Sequence, residues 1–108
     1  MSAREKNPLL SIAIPTKNRY KTLCGTLNAM LSEFDDSVEF IICDNSDDNS
    51  SFISIDGINI INDKRVKYLY EERKLSIVDN TEIALSHCNG VFVTFTVSYT
   101  HLTLPTKA

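Results

Sequence analysis

Asp44 closes a short apolar run, Val38-Glu39-Phe40-Ile41-Ile42-Cys43, and opens a polar one, Asn45-Ser46-Asp47-Asp48-Asn49-Ser50-Ser51. A carboxylate at the end of a buried strand can accept a hydrogen bond from the imide N–H of a uracil or thymine ring. The same residue could instead form a turn, because Asx side chains satisfy nearby backbone N–H groups. A second cluster, Pro15-Thr16-Lys17-Asn18-Arg19, follows the apolar run Leu9 to Ile14 and precedes a helical pattern. Thr16, Lys17, Asn18 and Arg19 can all donate hydrogen bonds, and Lys17 and Arg19 could reach a phosphate. In open α/β sheets, ligands bind beyond the carboxyl ends of the strands, where helix N-termini offer free N–H groups. Both clusters therefore mark one sheet edge as a place for a ligand.

Other chemistries fit less well. Cys24, Cys43 and Cys88 are odd in number, far apart and on apolar faces, which suits buried small hydrophobes. His87 near a helix end is explained by the helix dipole. The run from Asp44 fails as a calcium loop, since Asn49 stands where glycine is needed and Ile55 where a bidentate glutamate is needed. Asp47 and Asp48 are then solvated loop residues or caps. A net charge of −3, with scattered basic residues, argues against nucleic acid as a partner. No apolar stretch is long enough to cross a bilayer and no signal-peptide core is present, which places the chain in the cytoplasm.

The elements that would position these clusters follow from periodicity. At 108 residues, with 43% apolar and 23% charged positions, the chain has the make-up of one small globular domain. Leu9 to Ile14 reads as a strand buried on both faces, with Pro15 ending it for want of an N–H. Tyr20, Leu23, Leu27, Met30 and Leu31 recur at helical spacing, with Gly25 as a weak point. Val38 to Cys43 is a second strand, and Val66 to Tyr70 a third, with Lys67 suggesting a sheet edge. Residues 52–64 fit either a helix or extended chain. Ile77, Thr81, Ala84, Leu85 and Cys88 share a helical face with Asn80 beside them, and Gly90 suits a left-handed stop. Val91 to Phe95 is a fourth strand. The order predicts a mostly parallel sheet with flanking helices.

Ser11 to Arg19 ("SIAIPTKNR") resembles the opening strand and loop of family 2 glycosyltransferases, and Ile42-Cys43-Asp44-Asn45-Ser46 resembles that family's "VVDNSS". Lys74 to Asn80 is similar to its "N-x-G-x-x-x-N" segment, with Ser76 where glycine is common, and Gly90 to Phe95 to its "G-x-x-x-x-F" strand. The resemblance implies an α/β, Rossmann-like GT-A nucleotide-diphospho-sugar transferase half-domain. It implies a donor site at Pro15, Thr16, Lys17, Asn18, Arg19, Asp44, Asn45 and Asn80, with Asp44 on the base. Asn80 could equally be a buried structural amide. Lys17 departs from the family, which often has an aromatic residue there, and cannot stack in the same way. The implied reaction moves a sugar from a nucleotide donor, UDP- or dTDP-linked, to a glycan or lipid-linked acceptor.

The family's metal-binding D-x-D motif should follow the fourth strand, and the family needs Mg²⁺ or Mn²⁺ there. Instead Thr96-Val97-Ser98-Tyr99-Thr100-His101 follows, and no acidic residue occurs after Glu82. Val97 to Thr106 looks like the translation of a sequencing adapter. The expected layout is thus a leader at 1–8, a donor-binding part at 9–96 and a non-native tail at 97–108. Such a chain should carry no catalytic or metal-binding residue, transfer no sugar by itself and leave an apolar strand edge; the full-length enzyme would be cytoplasmic or peripheral to the membrane. A nucleotidyltransferase would want a Gly-rich, Arg-containing loop after the first strand. A receiver-type signalling module would want acidic residues after its first strand and a phosphorylatable aspartate after its third. Neither pattern is present at Pro15 to Tyr20 or Glu71 to Ser76.

Overall fold

The computed structural model describes residues 8–48 and 59–96, with the backbone of Ser98–Tyr99. The expectations for 1–7 and for most of 97–108 lie outside these residues, as do 49–51 of the polar run and 52–58 of the ambiguous segment; residues 59–61 are helical. The elements are β1 (Leu10–Lys17), α1 (Tyr20–Glu33), β2 (Val38–Asp44), β3 (Val66–Tyr70), α2 (Ile77–Ser86), β4 (Phe92–Phe95) and β5 (Ser98–Tyr99). All strand pairs are parallel, in the order β3-β2-β1-β4, and β5 pairs with the end of β1. The expected parallel sheet with flanking helices is what the chain forms. β3, with Lys67, is an edge among the described strands, as expected.

Alternation along the strands sends side chains to two cores. Ile12, Ile14, Phe40 and Ile42 face α1 and pack with its Leu23 and Leu27 and with Ile60. Ala13, Ile41 and Cys43 face α2 and pack with its Ala84. Leu85, expected on the inner face of this helix, is 37% exposed; the buried positions are Asn80 and Ala84. Cys88 lies just beyond the helix rather than within it. Burial, and then the neighbouring Cys88, push the Cys43 thiol up to about 12, so it remains a thiol near neutral pH.

Two of the expected stops differ from what is observed. β1 runs through Pro15 to Lys17, with Pro15 opposite Cys43 and Thr16 opposite Asp44. Thr16 O accepts from Asn45 N on the β2 side, and Ala13 O from Thr96 N on the β4 side. Successive residues alternate between the two sides, so Pro15 turns its missing N–H toward β4, which has ended at Phe95. The ladder to β2 loses nothing. Gly90, in turn, has no positive φ. Its role is close approach: a Cβ there would lie 2.7 Å from both Ser11 N and Ser11 Oγ, and its own N–H donates to Ser11 Oγ.

Gly25 sits exposed in mid-helix with nothing near a would-be Cβ. Gly25→Ala is therefore expected to stabilise the fold by about 0.5–1 kcal/mol, read as a higher urea midpoint with unchanged slope. β4 and the residue before it are apolar and exposed, with Val91, Phe92, Val93 and Phe95 each about half exposed or more.

Candidate nucleotide-binding cleft

β1 and β2 deliver Thr16 and Asp44 side by side at the carboxyl edge of the sheet, on the face covered by α1. A cleft of about 400 Å³ opens there, lined by Asn18, Arg19, Tyr20, Lys21, Thr22, Asp44, Ser46 and Asp48. Helix α1 begins at this point without a side-chain cap, and its first intrahelical bond runs from Leu23 N to Arg19 O. The start of a helix is the end that favours acceptor atoms and negative charge. Thr16 is buried beneath, and its hydroxyl has no partner among the described residues.

Asn18 makes the turn between β1 and α1 with φ 58°, a left-handed conformation that asparagine tolerates better than most residues. Its backbone N–H donates to Ser46 Oγ at 2.7 Å, and its side chain exchanges bonds with Asp47. Ser46 Oγ donates onward to Asp44 Oδ1, which also accepts from Ser46 N at 3.0 Å. Tyr68 donates to Asp44 Oδ2 at 2.6 Å, and Tyr70 to the carbonyls of Ser46 and Asp47. Burial, and next the bond to Asp44, push the Tyr68 phenol well above its ordinary value, so it stays a donor. Lys74, hydrogen-bonded to Asp47, holds that carboxyl below the usual range. Sequence reasoning missed Tyr68 and Tyr70; their alternation with Lys67 and Leu69 was visible, but not that β3 lies against β2.

The predicted residues divide by face. Asn18, Arg19 and Asp44 line the cleft; Lys17 is half-buried and is not among the lining residues. Pro15 is fully buried in β1. Asn45 turns away: its amide donates to Glu71 O and Arg73 O at 2.8 and 2.6 Å and accepts from Leu75 N at 2.9 Å. It thereby fastens the loop that leads to Ser76, whose side chain caps α2 by accepting from Asp79 N. Asn80 reaches from α2 to Cys43 O at 3.0 Å. Asn45 and Asn80 thus hold the sheet to α2, on the side away from the cleft.

Among the described residues no group of three or more His, Cys, Asp or Glu side chains could hold a metal ion. None of the described helices is long and apolar enough to cross a membrane. Among curated proteins no significant match is found. The model of the family described as Glycosyl transferase family 2 matches residues 11–96, well over half of the 108 residues. The match begins in β1, takes in both sides of the cleft and ends just after β4. The chain belongs to glycosyl transferase family 2.

Proposed function

We propose that this chain is the donor-binding part of a GT-A glycosyltransferase that takes a UDP- or dTDP-linked sugar and passes it to a glycan or lipid-linked acceptor. The observation that carries the reading is Asp44, at the floor of a cleft on the carboxyl edge of a parallel sheet. Its oxygens already accept from Ser46 and Tyr68, yet a carboxylate has about four acceptor directions. One direction on Oδ2 is left for the imide N–H of a pyrimidine. Arg19, in the lining of the same cleft, supplies positive charge for a diphosphate.

The described residues do not fit the divalent cation that the family resemblance implies. Within this chain the chemistry is recognition and orientation. Asp44 fixes the base, the left-handed turn at Asn18 fixes the loop against Ser46, and the start of α1 receives acceptor atoms of the nucleotide.

Asp44→Asn tests the reading. In either amide orientation the introduced NH₂ faces a donor, from Ser46 or from Tyr68, and the imide contact loses its charge. Affinity for UDP or dTDP should fall by on the order of 1–3 kcal/mol, as for a charge-assisted bond. Unchanged affinity in calorimetric titration would remove Asp44 from the site.

A further inference from the structure

Tyr68 stands opposite Ile42 in the β2–β3 ladder, so its side chain leaves the sheet on the same face as Asp44. Its ring packs against the core that includes Phe40, Ile42 and Ile60, which holds the hydroxyl in place. That hydroxyl donates to Asp44 Oδ2, while Ser46 donates twice to Oδ1. We propose that Tyr68 is a positioning residue. By fixing the Asp44 carboxylate with one acceptor direction toward the cleft, it makes the cleft select bases that present an N–H there, uracil or thymine, over cytosine.

The selection follows from what the fixed carboxylate meets. Uracil and thymine carry a proton on N3, whereas cytosine presents a lone pair at the same atom. A carboxylate held by donors on both oxygens cannot turn away from that lone pair, so the wrong base meets repulsion as well as a missing bond. A carboxylate released from Tyr68 can rotate and reorganise, and the discrimination relaxes. This inference rests on the pyrimidine reading of Asp44, and its failure is separable from the failure of that reading.

The test is ligand-observed NMR with UMP and CMP on the 108-residue chain and on Tyr68→Phe, Asp44→Asn, Ser46→Ala and Ser46→Thr. The wild-type chain should favour UMP, and Tyr68→Phe should cut the UMP-to-CMP affinity ratio by about tenfold or more, the loss of one bond to a charged group. A purely structural tyrosine would weaken both nucleotides alike and leave the ratio intact. Should Tyr68→Phe fail to fold, Ser46→Ala serves in its place: it should lower the ratio, and Ser46→Thr, which keeps the hydroxyl, should restore it. An unchanged ratio in these variants alongside a collapsed ratio in Asp44→Asn overturns the role of Tyr68 and leaves the pyrimidine reading standing. An unchanged ratio in Asp44→Asn, or no preference for UMP in the wild type, overturns both.

Discussion

Gly90→Ala is expected to destabilise the domain by about 3 kcal/mol, near the upper end for overpacking a close contact. The added methyl would meet Ser11 N and Ser11 Oγ at 2.7 Å and Phe92 O at 2.8 Å. Two of these atoms are backbone within the β1–β4 pairing, so trimming Ser11 cannot make room. The disturbance also reaches a network beneath the sheet. Ser11 Oγ accepts from Gly90 N and donates to Glu39, and Glu39 accepts from Asn89 N. Shifting Gly90 therefore loosens the whole approach from α2 to β4. Urea unfolding measures it: the midpoint should drop well below that of the parent chain, and an unchanged midpoint would mean that the turn yields freely.

Arg65→Ala is expected to cost about 2–3 kcal/mol, by removing one partner from a mostly buried set of charge-assisted bonds. Arg65 pairs with both carboxylate oxygens of Asp63, and its Nη1 donates to Leu31 O and Phe34 O at the end of α1. The two charged side chains are only 15% and 22% exposed. The guanidinium thus ties the loop before β3 to the last turn of α1, where free carbonyls favour a cation. Asp63 is held below the usual carboxylate range, first by its hydrogen bond from Arg65. A depressed folded value means that its stabilisation is present above the ordinary aspartate range, around pH 4, and is lost as pH falls through the lower folded value. The stability difference between parent and Arg65→Ala should accordingly be full at neutral pH and shrink in acid. A difference that stays constant down to pH 2 would detach the effect from this ion pair.

Much of the architecture was legible because apolar runs and helical spacing are local. β3 and the start of α2 fall where the pattern placed them. What was not legible depends on neighbours. Pro15 as a stop assumes that its N–H is needed, and whether it is depends on where β4 ends on the other side of β1. Gly90 as a left-handed cap assumes a local role, whereas the constraint comes from Ser11, far away in sequence. Arg65 gives no signal at all, since its acceptors at Leu31 and Phe34 are reached only in three dimensions. For the site, the consecutive pair Asp44–Asn45 already implied opposite faces, and strand alternation could have assigned Asn45 to the α2 side. Tyr68 could not have been assigned to Asp44 without the β2–β3 register.

The most direct measurement of the donor-binding claim is a backbone ¹H–¹⁵N titration of the chain with UDP. Binding in the cleft should move the amides of Asn18 to Thr22 and of Asp44 to Asp48, the two segments that line it. The rest of the sheet and the end of α1 should stay still. Shifts confined to the shallow groove around Leu31, Phe34 and Arg65, or no shifts at saturating UDP, would contradict the assignment of this cleft to the nucleotide.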